Sequence, residues 1–405
     1  GCVYVCSTST GVVIRKLTSH DANTQDHFGE NVAISGKYAI VGCRYNDDDG
    51  NASGCAYIFD VTTGVEHRKL LGDDTAAEDN FGCDVDICGN YAIVGAKGHD
   101  GLGSNSGAAY IFNVATGEQL YKLTKGLLNR DFASAVCIGG QYAVIGAKGT
   151  DIGSRKNLTD VGAAYIFGPK DYTTNIINID NDTGRVGMGT TNPTALLDID
   201  GVLKTKQLKI GNDFVNIDPA IVRIGKNHGF RHIRDHTGEA NDDYYGTNVA
   251  VSKDYYVVSA PSQDAGQVNA GAVYVYNHDN TFLHKILPST NGWDQVGDQK
   301  GLAIHGHYLV IGSGHYDDYT NASGSAGYDH GRVYIYDVRT GIQLHILNDL
   351  ASESGQFEHF GRAVAIYDNT VLVGAKSETT NNSKGCVYVF DVRTGARQFK
   401  LTASD

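Results

Sequence analysis

FGENVAISGKYAIVGCRYNDDDGNASGCAYIFDVTTGVEHRKLL, residues 28–71, contains four short apolar runs separated by turns. A Phe-Gly pair leads into Val32-Ala33-Ile34, and a tight turn at Gly36-Lys37 leads into Tyr38-Ala39-Ile40-Val41-Gly42. A polar loop precedes Cys55-Ala56-Tyr57-Ile58-Phe59, and a Thr63-Gly64 turn precedes the run from His67 to Leu71. Runs this short, bounded by turn residues and rich in β-branched and aromatic side chains, predict four strands. Turns this short force antiparallel neighbours.

The unit recurs. Its Phe-Gly landmark returns as Phe81-Gly82, Phe132-Ala133, Tyr245-Gly246, Val296-Gly297 and Phe360-Gly361. A Gly-Ala-like landmark ends the second run at Gly42-Cys43, Gly95-Ala96, Gly146-Ala147, Ser259-Ala260, Gly312-Ser313 and Gly374-Ala375. The third run carries Tyr57, Tyr110, Tyr165, Tyr274, Tyr334 and Tyr388. An acid stands two residues before the Phe position as Asp26, Asp79, Asp243, Asp294 and Glu358, placed to accept backbone N–H groups or to face solvent. A four-stranded unit that repeats at about 50 to 65 residues buries its faces against its own copies, and radial stacking is the closed solution.

The chain opens in mid-unit. Gly1-Cys2-Val3-Tyr4-Val5, Thr10-Gly11 and Arg15-Lys16-Leu17-Thr18 match Gly385-Cys386-Val387-Tyr388-Val389, Thr394-Gly395 and Phe399-Lys400-Leu401-Thr402. The fold expected is all-β: a seven-bladed propeller of six full repeats plus an N-terminal half blade, in a processed or excerpted piece of chain. The hairpin missing from that blade is expected to come from further residues of the chain or from another subunit. A ring of six blades carrying an extra half is the alternative.

Two stretches of propeller, 1–167 and 230–405, flank residues 168–229, which replace the Thr-Gly turn of the third full unit. A hairpin turn tolerates insertion because its ends are close. The insert is a run of very short strands that is expected to lean on the propeller or on copies of itself.

The repeat resembles the FG-GAP family, on the residues from Phe28-Gly29 through Val41-Gly42 to Ala56-Tyr57-Ile58-Phe59 and their copies. The resemblance implies a seven-bladed propeller used for adhesion and assembly. Calcium-binding members carry an Asp-rich loop between strands one and two. That connection is a minimal turn here, so the family's calcium site is not carried over. The acidic loop 46–51 instead joins strands two and three, and its Asp47 and Asp49 are candidate Ca²⁺ ligands or a solvated turn. The insert's segment 187–193 is similar to the Gly-x-Gly-Thr-Thr-Asn-Pro segments of phage and large-virus tail fibres, which implies a fibre-like, often trimeric element on a particle or cell surface.

Composition bounds the rest. The net charge is −13, with acids spread through loops, which argues against nucleic-acid binding. No apolar run reaches membrane-spanning length. N-x-Ser/Thr sequons at Asn51, Asn157, Asn181, Asn321 and Asn381 are glycan sites if the protein is secreted. Cys43 and Cys55, at adjacent ends of neighbouring strands, form either a cross-strand disulfide or two free thiols. Asp84 and Asp86 lie on a first strand, where they face the channel or bond neighbouring backbone. His232, His236, His305 and His307 read as surface residues. No P-loop, nucleophile elbow or His-Glu-x-x-His motif occurs. The expected function is that of a non-enzymatic structural or adhesive protein of an extracellular, cell or virion surface. It would act through protein partners, self-assembly or a larger surface assembly. The alternatives are a glycan-binding propeller using Tyr316 and Tyr319, and an enzyme with its site at the channel mouth.

Overall fold

The computed structural model describes all residues except 22, 24, 102, 126–128, 152–158, 169–177, 181–184, 189–196, 200–206, 211–212, 217–229, 265–268, 289–293, 299, 315–330, 349–358, 377–384 and 403–405. Among the described residues all helix and strand is strand. Six four-stranded antiparallel blades follow an N-terminal strand pair, Val3–Cys6 and Val13–Leu17. Blade 1 is Val32–Ser35, Tyr38–Cys43, Cys55–Asp60 and Val65–Leu70, and blade 2 is Phe81–Cys88, Tyr91–Ala96, Ala108–Asn113 and Gln119–Leu123. Blade 3 is Asn129–Gly139, Tyr142–Thr150 and Ala163–Gly168, completed beyond the insert by Arg231–Thr237. Blades 4 to 6 begin at Val249–Val251, Leu302–His305 and Ala363–Tyr367 and end at Phe282–Ile286, Ile342–Leu347 and Arg397–Thr402.

The core lies between blades. Ile58 and Leu70 of blade 1 pack with Phe81, Val94 and Tyr110 of blade 2, and equivalent clusters join blades 3 to 4, 4 to 5 and 5 to 6. Leu17 of the N-terminal pair packs with Phe28, Val41 and Phe59 of blade 1, so this pair holds the place of a blade.

Backbone contact explains the two landmarks. A methyl group built on Gly54, just before strand three, would lie 2.0 Å from the carbonyl oxygen of Phe81 in the next blade. Gly107 meets Phe132, Gly162 meets Tyr245, Gly331 meets Phe360, and Gly1 meets Phe28 in the same way. A methyl on Gly42, at the end of strand two, would lie 2.3 Å from the carbonyl oxygen of Gly82. The N-terminal pair and blades 1, 2, 3 and 5 thus rest bare glycine backbone on the Phe-Gly turn of the next blade. That turn needs left-handed backbone: φ is +56° at Asn80 and +88° at Gly82.

Residues 168–232 form a second compact unit. Asn178–Asp180 pairs antiparallel with Arg185–Met188, which pairs parallel with Leu197–Ile199, and Gln207–Ile210 forms a hairpin with Asp213–Asn216. Residues 189–193 of the fibre-like segment lie outside the described residues.

Candidate interaction site

The ring closes through the half blade. In full blades the Thr-Gly turn leans on the outer strand of the blade before it, as Gly64 does on Arg15, Gly117 on Arg68 and Gly395 on His345. Gly11 of the half blade meets Leu401 and Phe399 of blade 6 in the same sense. The N-terminal pair therefore sits between blade 6 and blade 1 as strands three and four of a seventh blade.

Among the described residues nothing pairs with Val3–Cys6 on its inner edge, where strand two of a blade would run. Both walls of that slot are bare. Val32 and Ile34 of blade 1 are 53% and 62% exposed, whereas Val85 and Ile87, their equivalents in blade 2, are 5% and 4% exposed. On the blade 6 side Ala363 and Ala365 are exposed. The glycine contacts stop here too. Gly385 and Gly374, equivalents of Gly54 and Gly42, meet no carbonyl of a following Phe-Gly turn. The slot thus has the apolar walls, the free strand edge and the glycine seats that a strand-one and strand-two hairpin of this repeat requires.

The slot opens into an axial cavity of about 860 Å³ to which all six blades contribute. Asp84, buried on the first strand of blade 2, accepts from Val136 N–H of blade 3 at 2.8 Å and from Val85 N–H at 2.8 Å. It also pairs with Lys300 of blade 5. Asp86 accepts from Ile138 N–H and Ile87 N–H, each at 2.8 Å. The two alternatives read for Asp84 are thus both realised.

Burial pushes the Asp86 carboxyl up to about 7; the two N–H donors oppose this, the Asp84 charge adds to it and Lys300 opposes it. A carboxyl whose folded pKa lies above its unfolded value stabilises fully below about pH 4, and that stability is lost as pH rises through about 7. Between about pH 4 and 7 the wild type is expected to lose up to about 1.4 kcal/mol per pH unit through this group, and little more above pH 7. Urea titrations should show that slope removed in Asp86→Asn.

The buried acids before the Phe position hold the connections. Asp26 accepts from Asn23 N–H at 2.9 Å, Asp79 from Ala76 N–H at 2.9 Å, and Asp243 from Glu239 and Ala240 N–H at 3.0 and 2.8 Å. A second set, not assigned from sequence, ties each connection to the blade it enters. Asp21 accepts from Tyr57 Oη at 2.6 Å and Lys69 Nζ at 2.6 Å. Asp74 does the same for Tyr110 and Lys122, and Glu239 for Tyr274 and Lys285. Burial, then the hydrogen bond to Asp21, pushes the Tyr57 hydroxyl far above its ordinary range.

The other expected sites fall differently. Asp47 Oδ1 accepts from Ala52 N–H at 2.8 Å, Asp48 pairs with Lys69, and Asp49 N–H donates to Ser53 Oγ at 3.3 Å. Among the described residues no group of three His, Cys, Asp or Glu side chains converges at Asp47 and Asp49. Their loop is built as a hydrogen-bonded turn. Cys43 and Cys55 stand opposite each other in register, but both are buried free thiols. Cys43 Sγ donates to the Asp26 carbonyl at 3.4 Å, and the hydrogen bond to Cys43 together with burial pushes the Cys55 thiol far up. Asn51 is exposed, with Nδ2 donating to Glu78, while Asn157, Asn181, Asn321, Asn381, Tyr316 and Tyr319 lie outside the described residues. The surface reading of His236 is corrected. Its ring stacks 4.3 Å from that of Tyr276 and its Nε2 lies 2.9 Å from Tyr256 Oη, and burial lowers its pKa.

The FG-GAP repeat profile matches residues 12–59, 65–112, 237–276 and 350–390. Each matched stretch ends on a third strand, and the first two begin at the fourth strand of the preceding blade. No curated protein matches the chain.

Proposed function

We propose that this FG-GAP repeat propeller is a non-catalytic structural or adhesive protein of an extracellular, cell or particle surface, working through protein contacts. The open seat in the seventh blade carries the reading. The free edge of Val3–Cys6, the exposed Val32 and Ile34 and the uncovered Gly374 and Gly385 make one surface that is complementary to a β-hairpin. Such a hairpin would pair its second strand with Val3–Cys6 through main-chain hydrogen bonds and lay its side chains on the two walls. A hairpin of the repeat's own pattern fits this seat, whether it comes from further residues of the same polypeptide or from a protein partner. The insert supplies a second assembly element.

A cyclised peptide copying residues 360–376 tests this, offered in trans to the purified chain, with the same hairpin fused ahead of Gly1 as a second arm. Saturable binding by calorimetry is expected, with a melting temperature raised by about 3 °C or more, since burying each large apolar side chain contributes roughly 1.5–3 kcal/mol. Absence of binding together with an unchanged melting temperature in the fusion would overturn the proposal.

A further inference from the structure

One position of the repeat carries a pattern that the hairpin seat does not use. The residue directly after the Gly-Ala landmark is Arg44, Lys97, Lys148 and Lys376 in blades 1, 2, 3 and 6. Lys and Arg are 33 of 405 residues, so a cation at four of six equivalent positions is not an accident of composition. The fold converts this position into a ring. Strand two of each blade ends on the next blade's Phe-Gly turn, and the residue that follows lies at that end of the channel. Blades 4 and 5 have Pro261 and Gly314 there, and Lys300 and Arg362 reach the same cavity from neighbouring turns.

All six cations line the axial cavity of about 860 Å³, against two carboxylates, Glu30 and Asp298. In a chain of net charge −13 this is a local reversal of sign. Arg44 is balanced by Glu30 at 2.9 Å, and Lys300 by Asp84. Among the described residues Lys97 and Lys148, both half-buried, have no ion-pair partner. A cavity with low-dielectric walls focuses such a field, and its volume lies within the range of small-molecule sites.

We propose that the cationic end of the channel binds a small polyanion bearing several phosphate or sulfate groups, held chiefly by Lys97 and Lys148 and by the other cations of the ring. The cavity also includes the hairpin seat at Val3, Val32 and Gly374, but Lys97 and Lys148 belong to blades 2 and 3 and make none of the proposed hairpin contacts, so either proposal can fail without the other.

Calorimetry with inorganic tripolyphosphate and, separately, with a trisulfated heparin disaccharide tests this at low and at physiological salt. Binding of either at a single site supports the proposal, and the preferred probe assigns the phosphate or the sulfate class. Affinity is expected to fall at least tenfold in the Lys97→Ala, Lys148→Ala double variant. Arg68→Ala, a cation on an outer strand, should bind as the wild type does. Thermal melts of both variants establish that the fold is intact. Absence of binding to either probe at millimolar concentration would overturn the proposal. So would equal affinity in the double variant, because that would be diffuse attraction.

Discussion

Gly54→Ala is expected to destabilise the propeller by more than about 4 kcal/mol, a loss reserved for substitutions that break a specific structural requirement. Two costs combine. Gly54 has φ +83°, where an L-residue costs roughly 1–2 kcal/mol. The added methyl would also lie 2.0 Å from the Phe81 carbonyl oxygen and 2.6 Å from its nitrogen. Both neighbours are backbone, so no side chain can swing aside, and blade 2 must shift as a body. Gly385→Ala is the matched control. It stands at the same place in blade 6, yet the nearest atom to its new methyl is the Ala375 carbonyl oxygen at 3.2 Å. Its effect should stay within about 0.5 kcal/mol. Urea midpoints of the two variants decide the matter, and equal losses would show that the glycine seats do not hold neighbouring blades together. Gly385→Ala has a second expected consequence: it should block the docking of the 360–376 hairpin, whose Phe carbonyl would land on that residue.

Asp84→Ala is the other large effect, a loss of about 3–5 kcal/mol. Its carboxylate is buried, receives Val136 N–H across the blade 2 to blade 3 boundary, and neutralises Lys300 from the far side of the ring. Truncation leaves a buried N–H without an acceptor and a channel cation without its counter-charge. Asp84→Asn keeps one acceptor and should lose about half as much. Chemical denaturation of both variants measures the difference. Asn and Ala variants of equal stability would mean that the Val136 hydrogen bond contributes nothing.

These effects show where sequence reading succeeds and where it stops. The blades were readable because their signals are local. Turns such as Gly36-Lys37 fix antiparallel pairing, and repeated landmarks fix the period. The half blade followed from matching Gly1-Cys2-Val3-Tyr4 to Gly385-Cys386-Val387-Tyr388, and the structure seats it beside blade 1 through Gly1 and Phe28. The return of blade 3 at Arg231–Thr237 followed from the same kind of match. What stayed hidden depends on distance through the ring. Asp21, Tyr57 and Lys69 belong to separate segments, and only closure of the blade joins them. Asp84 and Lys300 are partners across the channel, which no periodicity announces. The channel cations were within reach, since aligning the units one residue past Gly-Ala displays Arg44, Lys97, Lys148 and Lys376. For Cys43 and Cys55 the proximity was legible, because they sit at facing ends of neighbouring strands, whereas the Cys43 contact with the Asp26 carbonyl comes from a different loop and was not.

The glycine-on-carbonyl seat has a consequence in the language of symmetry. It is a head-to-tail joint, in which each unit offers one surface forward and accepts a different one behind. Joints of that kind either spiral into open filaments or close into rings, according to the rotation each step imposes. Here the step is set by how closely a bare Cα can approach the next turn's backbone, so the dipeptides at Gly42 and Gly54 act as a protractor for the whole assembly. The copy number of the ring is therefore written into these backbone contacts rather than into chain length. Six such steps lead from the strand pair at Val3–Cys6 and Val13–Leu17 to blade 6, and the next returns to that pair, so the contact that builds the ring also fixes the number of places in it.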